Sequence, residues 1–132
     1  MTETTLDFLY RLKDAVNSLN LEFPLIIGQL STSDSISLHA LPGGRNIDFC
    51  YDGTKDKQLP YEFSIKTKNQ EKAMNDLTVI SEFLEDLTEL PSGNDSYLFD
   101  SIIISNEPFF VGRDEQGFFF YSLNLQALIN VK

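Results

Sequence analysis

The side chains able to do chemistry in this sequence are few. It offers one imidazole, His39, and one thiol, Cys50. A nucleophilic triad would have to use His39 as its base. His39 falls in an alternating segment on the side opposite Ile36, Leu38 and Ala40, the position of an outward-facing strand residue. Cys50 stands in no reactive-cysteine motif and reads as a small apolar filler. One Cys with one His gives no zinc pattern. The carboxylate pairs Glu85-Asp86 and Asp114-Glu115 are adjacent in sequence, not spaced as in a calcium loop. Pro42-Gly43-Gly44 lies between two strand patterns, whereas a phosphate cradle needs glycines ahead of a helix. The expectation is therefore no catalytic residue, no metal and no cofactor: a protein that works through its surfaces.

Two turn regions supply the candidate surfaces, because a rigid sheet presents its loops for binding. Around the charged loop from Gly112 to Gly117 stand Phe109, Phe110, Phe118 and Phe120. Either these rings make a second core contact under the loop, or they form a subunit interface, where aromatics beside a charged rim are enriched. Phe110, Arg113, Asp114, Glu115, Phe118 and Phe120 are the interface candidates here. The second region is the turn Asp52, Gly53, Thr54 and Lys55, with Lys57 and Arg45 beside it.

The elements that position these loops follow from periodicity. Leu6, Leu9, Leu12, Val16 and Leu19 recur at helical spacing, predicting a helix over about 5–19 with Thr4 or Thr5 as its cap. Leu25 to Leu30 is a short apolar stretch, a strand or an irregular core segment. Alternation over Ile36–Ala40 and Arg45–Tyr51, split by Pro42-Gly43-Gly44, predicts a hairpin over about 36–51. A turn at Asp52–Lys57 leads to a strand over about 60–67. A helix over about 70–87 follows, with Asn69 as N-cap and a stripe of Ala73, Leu77, Ile80, Leu84 and Leu87. Strands are expected over about 97–105, ended by Asn106-Glu107-Pro108, and over about 118–131. In the last, Phe119 through Val131 alternate onto one face. Together these predict one α+β domain over residues 1–132, with a largely antiparallel twisted sheet and two helices packed on one face.

The chain has 132 residues, 42 % of them hydrophobic, including 11 Phe and 5 Tyr, enough to fill a core without metal or disulfide. Its formal net charge of −10 disfavours both nonspecific binding to nucleic acid and an anionic membrane surface. The acidic, polar start lacks the pattern of a signal peptide, and no apolar run approaches a membrane span, so a cytoplasmic site of synthesis and folding is expected. Charge is unevenly spread. Residues 71–115 hold 11 acidic and 2 basic side chains, whereas residues 45–68 hold 5 basic and 4 acidic. Such asymmetry serves either solvated surfaces or an electrostatic partner interface.

Several segments are similar, in wording and order, to a family of tailed-phage minor capsid proteins. These are Leu41-Pro42-Gly43-Gly44-Arg45, Asp52-Gly53-Thr54-Lys55, Gln58-Leu59-Pro60-Tyr61-Glu62-Phe63, Lys66 through Ala73, Leu90 through Tyr97, and Asp114-Glu115-Gln116-Gly117. The likeness covers roughly residues 35–131. It implies a small α+β structural protein with a tail-terminator-like, head–tail joining fold, encoded among phage or prophage head–tail genes. Relatives of that fold include tail terminators, which form a hexameric ring on the tail tube and create the surface that meets the neck. The implied partners are copies of itself, monomeric before assembly or not, with tail-tube and neck or head-completion proteins. No sequence-specific nucleic acid and no membrane are implied. The implied location is the host cytoplasm during assembly and then the virion. A closed ring needs two different complementary patches on each subunit, and the basic 45–68 region and acidic 71–115 region are candidates. Six copies would carry a formal charge of −60, and a negative lumen would let DNA pass without adhering. The competing reading is an acidic soluble regulator that mimics nucleic acid and sequesters a basic partner.

Overall fold

A computed structural model describes residues 6–49 and 53–131. In chain order the elements are α1 (Phe8–Asn17), β1 (Leu25–Ile27), β2 (Ser35–Ala40), β3 (Arg45–Phe49), β4 (Lys55–Thr67), α2 (Gln70–Glu85), β5 (Tyr97–Arg113) and β6 (Phe119–Val131). They build an open six-stranded sheet in the order β1-β2-β4-β6-β5, with β3 also on β4. Among the described residues only β1 runs parallel to its neighbour, β2; the other pairings are antiparallel. The α+β expectation holds, with both helices on one face.

That face is the one alternation selects. Phe63 and Ile65 of β4 pair with Leu123 and Tyr121 of β6, and Leu38 and Ile36 of β2 flank them. Phe63, Ile65, Ile36, Leu38, Leu123 and Leu125 are essentially inaccessible, as are Phe8 and Leu12 of α1 and Leu77, Ile80 and Leu84 of α2. Asn69 caps α2 as expected, its side chain accepting from the Lys72 amide at 3.1 Å. The helix α1 is shorter than its periodicity. Thr4 and Thr5 lie outside the described residues, and Asp7 at the N-cap makes no side-chain capping bond. Its carboxylate instead accepts from Ser92 Oγ (2.7 Å), Ser96 Oγ (3.0 Å) and the Gly93 amide (2.7 Å), tying α1 to the α2–β5 connection.

Two expectations are corrected. First, the hairpin expected over about 36–51 does not form among the described residues, which leave out Cys50 and Tyr51. Both β2 and β3 run antiparallel to β4 along the same margin, as one strand interrupted at Pro42-Gly43-Gly44. Leu41 still pairs with Pro60, its amide donating to the Pro60 carbonyl at 2.9 Å. Arg45 then pairs with Gln58, so three residues stand opposite Leu59 alone. The cause lies in β4. A hydrogen-bonded antiparallel pair exchanges two N–H···O bonds, and Pro60 has no amide hydrogen to return to Leu41. The ladder breaks where it cannot be made, and Gly43 accommodates the detour with φ +106°. Alanine at Gly43 is expected to cost about 1–2 kcal/mol through backbone strain alone, since a Cβ there would meet nothing. Urea denaturation of the variant measures it. β4 itself begins at Lys55, earlier than expected.

Second, Asn106-Glu107-Pro108 does not end β5, which continues to Arg113. β5 has a partner on one side only, and register shifts against β6 flank this segment. An edge strand with bulges tolerates a proline that a central strand would not.

Candidate functional site

The expected interface residues fall at opposite ends of the sheet. The β3–β4 turn stands at one end of β4 and the β5–β6 turn at the other. β4 has 13 residues, so the two ends lie roughly 40 Å apart at about 3.3 Å per residue. No single site unites them; there are two poles.

At the β5–β6 pole, Asp114 is committed to the turn. Its Oδ1 accepts from the amides of Gln116 and Phe118, each at 3.0 Å, and Gly117 takes φ +92°. Arg113 and Glu115 are exposed. Phe118 and Phe120 are half-buried and receive the Lys66 ammonium, 4.6 Å and 5.8 Å from their ring centroids. Lys68 stands over Phe118 at 5.0 Å. Lys66 is itself buried and donates to the Ser31 carbonyl at 3.2 Å, so the segment between β1 and β2 reaches over this part of the sheet. A buried ammonium is costly unless satisfied; here a carbonyl and two ring faces satisfy it. For these two rings, contact beneath a loop is what the structure brings together.

Phe110 is different. It is 54 % exposed and touches Tyr121 edge-on at a centroid distance of 5.4 Å. Phe109 and Val111 beside it are also exposed, giving three consecutive uncovered apolar residues next to a charged loop. Lys66 and Val111 are not among the expected interface residues, and Phe109 is named there only with the ring cluster. The run Phe109-Phe110-Val111 directly after Pro108 was a legible signal, but the burial of Lys66 had none.

At the other pole Asp52 lies outside the described residues. Gly53 turns the chain with φ +86°. Asn130 donates to Thr54 Oγ1 at 3.0 Å and Asp56 Oδ1 at 2.9 Å, holding the turn to the end of β6. Arg45 donates to Gln58 Oε1 and Gln58 to Gln126 Oε1, both at 3.2 Å, a polar relay across three strands. Lys55 is exposed and Lys57 half-buried. A shallow groove of about 530 Å³ crosses this end, lined by Ile47, Leu98, Asp100 and Leu128 among others.

Between the poles, the face without helices is a ladder of small polar groups. Ser64 and Ser122 hydroxyls meet at 3.0 Å. His39 Nε2 lies 3.0 Å from Glu62 Oε1, but its Nδ1 is buried with no partner among the described residues. A carboxylate–imidazole pair is therefore present without a hydroxyl on the second nitrogen, two members of a triad rather than three. Among the described residues no helix is long and apolar enough to cross a membrane.

The comparisons agree with a structural role. Over residues 13–131 the chain matches the family model described as bacteriophage tail terminator protein. Among solved structures it is similar to a chain of the virion of a native gene transfer agent particle. That likeness has a TM-score of 0.63 and 11 % identity, over 92 % of this chain and 91 % of that one. At that identity it concerns the fold. No curated protein matches the sequence.

Proposed function

We propose that this chain, which belongs to the bacteriophage tail terminator family and is a phage virion structural protein of the head–tail joint, acts as one subunit of a closed ring on the tail tube. Its two poles would face the axial neighbours, the tube on one side and the neck on the other. Assembly would take place in the host cytoplasm. No bond-making chemistry is assigned to it. The observation that carries this reading is the bipolar sheet: two unlike loop regions, one aromatic with Lys66 and Lys68 over its rings and one polar and amide-lined, held apart by a continuous β4–β6 core. A subunit stacked between different proteins needs two such ends, and an enzyme needs one cleft.

Particles assembled without this gene test the role by electron microscopy. Overlong tails, or tails unattached to heads, are the expected result, and normal infectious virions would refute it. The aromatic pole has its own test. Phe110→Asp combined with Val111→Asp changes exposed positions, so stability should move by only a fraction of the fold's total. Complementation of the disrupted gene should fall by orders of magnitude. Full complementation would show that this pole touches nothing.

A further inference from the structure

We propose, resting on the ring reading, that neighbouring copies meet through the two unlike side margins of the sheet. The β3 margin of one copy, with Arg45 and Ile47, seats on the β5 margin of the next, with Leu98 and Asp100. The occupant of each margin is thus a second copy of this chain.

The topology carries the inference. β5 ends the sheet on one side, and β3 is the outermost strand on the other side along the first half of β4, because β1 pairs only with β2. β3 runs opposite to β4, whereas β5, antiparallel to β6, runs with it. Copies placed side by side in the same orientation therefore bring β3 against β5 in antiparallel sense. Repetition of one contact between different surfaces is what closes a ring, whereas a two-fold dimer uses one surface twice.

The margins also stand at the same height. Arg45, Gln58, Leu128 and Ser101 form one row across the sheet, and Asn46, Lys57, Ile129 and Phe99 the next. Ile47, just beyond that row, is level with Leu98–Asp100, so adjacent copies need no axial step to bring them together. Their chemistry matches. Ile47 and Leu98 are 53 % and 58 % exposed, large apolar groups on both sides of the contact. Arg45 is exposed on one margin and Asp100 on the other, and α2 packs along β5, bringing the acidic segment to the side that receives the arginine. Both strands carry a register shift here, between Asn46 and Asp48 and between Phe99 and Ser101. Such bulges oppose a continuous intermolecular ladder, so side chains rather than backbone bonds make the contact.

Cysteine crosslinking in assembled particles tests this. With Cys50 replaced by serine, Ile47→Cys is combined with Leu98→Cys, and separately with Asp100→Cys, and purified particles are treated with a short bismaleimide. The expected result is a ladder of covalent multimers beyond the dimer from at least one double variant, and none from any single variant. In the pair with Leu98→Cys, adding Arg45→Glu should reduce the yield roughly fivefold, and adding Asp100→Arg to that should restore it. Self-crosslinking of the Leu98→Cys single variant would place β5 against β5 and overturn the proposal. Absence of any ladder, with the protein present in the particles, would overturn it while leaving the ring reading standing. Absence of the unaltered protein from particles would overturn both.

Discussion

Phe8→Ala should lower the free energy of unfolding by about 3–5 kcal/mol, the usual cost of emptying a fully enclosed aromatic position. The Phe8 ring has no accessible surface and packs between three others, with centroids of Tyr61 at 5.4 Å, Tyr97 at 5.2 Å and Phe99 at 6.5 Å. Those rings belong to β4 and β5, so one side chain of α1 couples the helix to two strands of the sheet. Burial also pushes the Tyr61 hydroxyl up to about 12 and raises that of Tyr97, whose proton is donated to the Leu90 carbonyl at 2.6 Å. Typical domains hold only about 5–15 kcal/mol in total, so the variant should sit near its folding threshold at 37 °C. Urea titration should show the midpoint falling with an unchanged slope. A loss under about 1 kcal/mol would mean that α1 does not hold the sheet in the manner described.

The second large effect belongs to Asp7. Burial pushes its carboxyl upward, but the hydrogen bonds from Ser92, Gly93 and Ser96 outweigh burial, and its pKa lies below the ordinary 3.8. Three donors on one carboxylate make Asp7→Ala cost about 2–3 kcal/mol at neutral pH. The pH dependence follows from the sign. A carboxyl whose folded pKa is depressed stabilises the fold fully above its unfolded value and loses that contribution as pH falls through its folded one. The gap between the native chain and Asp7→Asn should therefore be constant from neutral pH down to about 4 and close as the pH drops further. Denaturation measured at several pH values between neutrality and pH 3 reads this directly, and a gap that stays constant throughout would contradict the arrangement.

What the sequence made legible was what depends on local period. Phe119 through Val131 alternate, and that alternation alone sorted the core face of β6 from the polar face bearing Ser122, Asn124 and Gln126. The α2 stripe and its Asn69 cap were equally plain. Partner choice was not, because pairing is a nonlocal property. Pro42-Gly43-Gly44 has the composition of a hairpin turn, and only Pro60, far along the chain, explains why it is a detour in one margin. Pro108 looked like a strand breaker because its meaning depends on whether a second neighbour exists. The same holds for the candidate site. The loop residues were identified from their types, but that they occupy two distant poles is fixed by the length and pairing of β4. Lys66 alternates like a solvent-facing residue, and its enclosure comes from Ser31 and from Phe118 and Phe120, which no local pattern links to it.

The interruption between β2 and β3 has a wider consequence. It adds two residues relative to β4, an even number, so Arg45 and Asn46 keep the faces of the pleat that an unbroken strand would give them, up to the second register shift at Ile47. Insertions or deletions of residue pairs at Pro42–Gly44 would leave those faces unchanged, while odd changes would exchange the faces of Arg45 and Asn46. This position is thus a length adjuster, where chains of this design can gain or lose residues at one margin while the packed β4–β6 interior stays the same.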